Sequence, residues 1–209
     1  MVKRDLYNYL GLALVVILSV IALRVWVYEP ISINEQMANQ YLTKNDLIIA
    51  DRNKQIEYGD FVLYNVDGKK YVGRVIAMEG DSVTYLYDLL YRNDEIIHET
   101  YLNIKGQPEY YTEDMTIETL THDRHSVVPK NSYLILNDKR TDKRDSRQFG
   151  LISQKQIIGS LTFRITPLGQ FGFIEKKVYI PASMCDASNI GYTDINNIFY
   201  EVCFAGYNS

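Results

Sequence analysis

The chain has 209 residues, 46% of them hydrophobic, enough for one sizeable core or for a core plus a membrane anchor. Its 22 Lys and Arg stand against 26 Asp and Glu, a formal charge of −4. No basic surplus is left to neutralise phosphates, so nucleic acid is excluded as a partner.

The chain opens with five residues that include Lys3 and Arg4, followed by an apolar run over residues 6–28 in which Arg24 is the single charge. That run matches the ~20 apolar residues needed to cross a bilayer. Basic residues ahead of it put residues 1–5 in the cytoplasm and the remainder outside the cell, with Trp26 and Tyr28 at the outer interface. A cleaved signal peptide would have a shorter apolar region, ~7–15 residues, ending in small residues. Here the run ends in bulky Val25-Trp26-Val27-Tyr28, which favours a retained single-pass anchor in the cell membrane.

Beyond Pro30, short apolar runs alternate with turn chemistry. Asp46–Ala50, Phe61–Val66, Tyr71–Met78, Ser82–Tyr87 and Ser132–Leu136 read as strands. They are separated by Tyr58-Gly59-Asp60, Asp67-Gly68, Glu79-Gly80-Asp81, Arg92-Asn93-Asp94 and Pro129-Lys130-Asn131. This pattern predicts an all-β, antiparallel sandwich or barrel. A helical turn or two is expected only near Ser153–Ile157, and residues 103–126 read as a long hairpin or loop.

Four stretches resemble one family in order and spacing. Arg24-Val-Trp-Val-Tyr-Glu29-Pro30 is similar to the anchor exit of Gram-positive type I signal peptidases, and Gly59-Asp60-Phe61-Val62 resembles their next strand motif. Residues Tyr71–Asp81, YVGRVIAMEGD, resemble the segment that begins YVKR in the family. Val128–Arg140 with Asp145-Ser146-Arg147 resembles VPxxxYFVLGDNR and its downstream SxDSR. The resemblance covers roughly residues 20–168 and implies the signal peptidase I-like fold in its small form. The organisation expected is a cytoplasmic N-terminus at 1–5, an anchor at 6–28, the signal peptidase-like domain at 29–168 and a C-terminal extension at 169–209.

The catalytic positions of that family are not kept. Its enzymes use a Ser–Lys dyad, the serine lying in an SMxPTL motif just after the membrane. Counting from Glu29-Pro30 places the nucleophile position on Met37, and matching methionine to methionine places it on Gln36. Neither has a hydroxyl or thiol to attack a carbonyl. The lysine of YVKR falls on Gly73, and a guanidinium such as Arg74 cannot serve as base. Alanine at Gly73 would matter only if the backbone needs a positive φ or a close approach there. The supporting serine of SxDSR is replaced by Lys143, while Asp145 and Arg147, an ion pair in the family, remain. Lys143 sits in a run of alternating charge typical of a solvated surface, which disfavours it as a substitute base. Ser146 reads as a structural hydrogen-bonding residue.

Two further features carry weaker signals. His122 and His125 form an HxxH without an evident third ligand, so no metal site and no cofactor are expected. Cys185 and Cys203 lie in the extension and could form one disulfide in an oxidising space, which spacing alone does not decide. The apolar residues of that extension either pack on the main domain and its groove or belong to a loose appendage.

The resemblance implies a role. The family includes a dyad-less subgroup encoded with streptococcal pilus genes, and the chain resembles it. Its expected partners are therefore pilin subunits and a pilin-polymerising sortase, with the chain acting as a non-catalytic accessory or chaperone. A substrate groove works by pairing the main chain of an extended ligand with a strand edge, and that needs no dyad. The edge is expected at Asn34, Glu35, Gln36, Met37, Ala38 and Asn39. The alternative is a divergent, active signal peptidase that cuts pilin or other leader peptides.

Overall fold

The computed structural model describes residues 2–39, 41–99, 101–102, 112–174, 180–181, 190–195 and 198–203. It begins with helix α1 (Val2–Trp26), 25 residues long, followed by strands β1 (Tyr28–Ser32), β2 (Leu47–Asp51) and β3 (Phe61–Val66). Next come β4 (Lys69–Ala77), β5 (Val83–Leu86), β6 (Leu89–Arg92), β7 (Glu95–His98) and β8 (Met115–Thr116), which leads into α2 (Ile117–Thr121). The remaining elements are β9 (Ser132–Leu136), α3 (Ser146–Phe149), β10 (Ile152–Ser153), β11 (Ile157–Thr166), β12 (Gly172–Phe173), β13 (Ile180–Pro181), β14 (Ile190–Ile195) and β15 (Ile198–Cys203). The five strands read from the sequence are all present, as β2, β3, β4, β5 and β9. The helical turn expected near Ser153–Ile157 is a single 3-10 turn, Gln154–Gln156.

These elements form two units that interleave along the chain. The first comprises Met1–Ile56, Val62–Tyr71 and Ile157–Ile174. In its sheet β2 pairs with β1 on one side and β11 on the other, and β11 pairs in turn with β3, all antiparallel. β12 joins the second half of β11, Phe163 opposite Phe173, so this unit extends past residue 168. β2 alternates half-buried and buried residues, and Ile48 and Ala50 pack inward with Ile33, Leu42, Val62 and Leu63. Each such large aliphatic side chain contributes ~1.5–3 kcal/mol by leaving water. Gly159 is needed where β11 meets the end of β2, because a Cβ there would lie 2.7 Å from the Asp51 carbonyl oxygen.

α1 also belongs to this unit. At ~1.5 Å per residue it is about 37 Å long, and its apolar side chains from Tyr7 to Ala22 are exposed on every face. No helix among the described residues is long and apolar enough to cross a membrane.

The second unit comprises Glu57–Phe61, Val72–Gln156 and Glu175–Ser209. Here β9 pairs with β4 and β10. A second sheet runs β13-β7-β6-β5-β8. Two of its hairpins turn on consecutive residues with positive φ, Tyr87-Asp88 and Asn93-Asp94, the geometry of two-residue turns that match strand twist. Asn93 and Asp94 suit that backbone; Tyr87 does not advertise it, which is why the β5–β6 turn was illegible. Residues 103–126, expected as a hairpin or loop, contain β8 and α2 in their second half, while 103–111 lie outside the described residues. In the extension, β13 pairs with β7 and β14 with β15. Cys185 lies outside the described residues, as does the side chain of Cys203, so the disulfide expectation falls there too.

Candidate functional site

In the first unit, the segment after β1 is a turn. The side-chain Oδ1 of Asn34 accepts from the backbone N–H groups of Gln36 and Met37 at 2.9 and 3.0 Å. The Asn34 carbonyl accepts from Met37 and Ala38, and the N–H of Asn39 donates to the Leu42 carbonyl. Asn39 caps the next bend by accepting from Tyr41 and Leu42. This corrects the expectation of an extended edge at Asn34–Asn39. The N–H groups of Gln36, Met37, Ala38 and Asn39 are spent locally, and asparagine side chains that imitate a backbone turn are the cause. Asn34, Glu35 and Gln36 keep exposed side chains, Ala38 and Asn39 are half-buried, and Met37 is only 4% exposed. Met37 thus serves as a core residue of its unit, its thioether incapable of nucleophilic attack as a hydroxyl or thiol would attack.

Behind this turn, Glu29 is held by three cations. Its carboxylate accepts from Lys70 at 2.9 Å, Arg24 at 3.0 Å and Arg52 at 2.5 Å. The hydrogen bond from Lys70 is the main reason its pKa falls to about 2, with those from Arg24 and Arg52 assisting against the cost of burial. The Glu-Pro at the exit of the apolar run is therefore the anchor point of a charge network that includes the last turn of α1.

In the second unit, Gly73, where the resemblance puts the family's lysine, is buried and closely packed. Gly73 lies within β4, facing β9. A Cβ on it would meet the Cγ2 of Ile135 at 2.6 Å and the carbonyl oxygen of Leu136 at 3.1 Å. Ile135 is fully buried, so a lysine stem could enter only by displacing it. The next residue, Arg74, is fully buried as well, and its guanidinium donates two bonds to Asp138, at 2.8 and 2.7 Å, and one to the Gly59 carbonyl at 2.9 Å. The rings of Phe61 and Tyr101 lie over it, each 4.1 Å from the guanidinium carbon. A buried, bidentate and stacked arginine is a structural pin, with its charge matched and its protons committed.

The DSR segment is structural too. Asp145 caps α3, accepting from the Arg147 N–H, and its other oxygen accepts from the Asn137 N–H at 2.9 Å. The Arg147 guanidinium bonds Asp145 at 2.6 Å and also reaches the carbonyls of Arg140 and Asp142. The buried Ser146 hydroxyl oxygen accepts from the Ile135 N–H at 3.0 Å, the structural role expected of it. Lys143 is 55% exposed and paired with Glu113, whose carboxyl it holds below the usual range. That is the solvated pair expected from the charge pattern. Sequence reasoning missed a second buried cation, Arg140, which bonds Glu99 and the hydroxyls of Tyr85 and Tyr101. Its signal was its place as the last residue of the Val128–Arg140 stretch, four positions past the end of β9.

His122 and His125 are exposed, and among the described residues no group of His, Cys, Asp and Glu is placed to hold a metal ion.

The family model for signal peptidase, peptidase S26, matches residues 6–166. The chain belongs to the S26 signal peptidase family. Signal peptidase IB of Staphylococcus aureus is 36% identical over 132 residues, 60% of this chain and 69% of that protein. Inactive signal peptidase IA of the same species is 31% identical over 134 residues, 62% of this chain and 74% of that protein. A signal peptidase I from Enterococcus faecalis is similar in structure, with a TM-score of 0.48 and 33% identity, covering 52% of this chain and 98% of that one. Relatives named as a peptidase and as inactive thus stand at similar identity, and overall likeness does not separate the two.

Proposed function

We propose that this S26 family member does not cleave peptides and acts as a membrane-held accessory or chaperone in pilin polymerisation. The observation that carries the non-catalytic part is the pair of substitutions in their settings. Met37 is a core side chain in a closed turn, and Gly73 sits where Ile135 and the backbone of β9 leave no room for a lysine stem. The other polar groups of the family motifs are engaged in holding the fold. Arg74, Asp145, Ser146 and Arg147 all make buried or half-buried structural bonds.

The same reading makes α1 a single-pass anchor, with residues 1–5 in the cytoplasm and the main domain outside. Its support is the uncovered apolar surface from Tyr7 to Ala22, the basic Lys3 and Arg4 ahead of it, and the Glu29 network at its exit. Pilin subunits and a pilin-polymerising sortase are proposed as partners from the resemblance to the dyad-less, pilus-associated subgroup. Because the Asn34–Asn39 turn spends its own N–H groups, it would contact a partner through the side chains of Asn34, Glu35 and Gln36 rather than by strand pairing.

The test is genetic and biochemical together. In a strain lacking the gene, the chain and its Met37→Ala variant should both restore pilus polymers, and a cross-linked pull-down should recover a pilin. Restoration that fails for Met37→Ala while the protein remains in the membrane would return chemistry at that site to consideration.

A further inference from the structure

A concave site lies in the second unit, between the end of α2 and the end of α3. It has a volume of about 560 Å3, within the ~300–1,000 Å3 usual for ligand sites. Thr119 to His122, Arg124 and His125 form one wall, and Arg147 to Leu151 with Pro129 form the other. Gly73 and Ile135 take no part in it.

The lining has a marked charge bias. It contains two arginines and two histidines and no carboxylate, in a chain whose net charge is −4. Asp123, between the histidines in sequence, and Glu118 on α2 are not part of the lining. Arg147 is held by Asp145 and two carbonyls, and is a fixed part of its wall. Arg124, His122, His125 and Gln148 differ: they are exposed, and among the described residues their side chains hold no hydrogen bond or ion pair. His122 owes its place to the left-handed cap of α2 (φ 53°), and His125 to the Thr121 hydroxyl, which bonds both its N–H and its carbonyl. The donors are therefore positioned by backbone while their side chains stay available.

We propose that this cleft binds an acidic peptide segment, with a carboxylate on Arg124 and the two imidazoles. Neighbouring apolar side chains of the peptide would rest on Leu120, Phe149 and Leu151. A peptide suits the site better than a lone inorganic anion, which would fill little of the volume and gain nothing from the apolar walls. Arg124 supplies the charged bond, while Arg147, its charge matched by Asp145, holds the opposite wall in place.

The experiment uses the full chain in non-ionic micelles and isothermal titration calorimetry. Its probe is the blocked hexapeptide Glu-Leu-Glu-Ser-Glu-Leu, with the Gln-for-Glu peptide as control. The acidic peptide should bind about tenfold more tightly than the control, the worth of one charged hydrogen bond. Arg124→Glu and His125→Gln, both at exposed positions, should remove that preference while leaving the urea midpoint unchanged. Equal binding of the two peptides, or an Arg124→Glu protein that binds the acidic peptide as the parent does, overturns the assignment. So does displacement of the peptide by inorganic phosphate at an ionic strength where chloride leaves it bound.

Discussion

The Cγ2 methyl of Ile135 stands 2.6 Å from where a Cβ on Gly73 would lie, with the Leu136 carbonyl oxygen 3.1 Å from the same point. β4 and β9 therefore approach each other more closely here than any side chain on β4 would permit. Gly73 is thus part of the close packing of the sheet. Gly73→Ala should destabilise the protein by ~1–3 kcal/mol, the usual cost of forcing atoms into a filled core. Ile135→Ala in the same chain should recover part of that loss, and a double-mutant cycle on urea midpoints would reveal the coupling. Additive effects would mean that the two residues do not compete for one space.

The Arg74–Asp138 pair predicts a sharper response. With both side chains essentially inaccessible, Asp138→Ala leaves a buried guanidinium without its counter-charge and should cost ~3–5 kcal/mol. Lys143→Ala, which breaks an exposed pair with Glu113, should change stability by less than ~1 kcal/mol. Chemical denaturation of both variants checks the contrast, and similar losses would contradict the assignment of roles.

Ser146 offers a test that distinguishes structure from chemistry. Ser146→Ala removes the acceptor of the buried Ile135 N–H and should cost ~1–3 kcal/mol. At a temperature where the variant remains folded, pilin capture should be unchanged. Loss of capture by a folded variant would give Ser146 a direct role.

Glu29 predicts a pH dependence. Its carboxyl titrates near 2 in the folded chain, held down first by Lys70, against 4.5 ordinarily. The unfolded state takes up the proton first as pH falls, so the stabilisation is complete above about 4.5 and is lost between there and about 2. Thermal midpoints followed from pH 7 to 2.5 should fall more for the parent than for Glu29→Gln. Parallel curves would show that the three cations do not favour the charged form.

Much of the fold was legible because its strands carry their own punctuation. Phe61–Val66 and Lys69–Ala77 flank Asp67-Gly68, both at positive φ, and that dipeptide announces the hairpin. β6 and β7 are not among the strands read from the sequence, and the turn before β6 is built on Tyr87-Asp88, whose tyrosine does not signal a positive φ. That Met37 carries no hydroxyl and Gly73 no amine is plain from the sequence itself. The shape at Asn34–Asn39 was not read, although two asparagines five residues apart signal turns rather than an edge. Arg74 and Asp138 are 64 positions apart, and no local pattern in one sequence can pair residues at that distance. The same holds for Ile135 closing over Gly73.

The most direct test of the account is a cleavage assay on the full-length chain in micelles, using a pilin precursor that still carries its signal peptide and mass spectrometry to detect products. An active S26 family enzyme serves as the positive control. The account predicts an intact precursor after prolonged incubation, both with the parent chain and with a Met37→Ser, Gly73→Lys variant whose lysine lacks a desolvated pocket. Release of mature pilin by the parent chain, or efficient cleavage by the double variant, would contradict it.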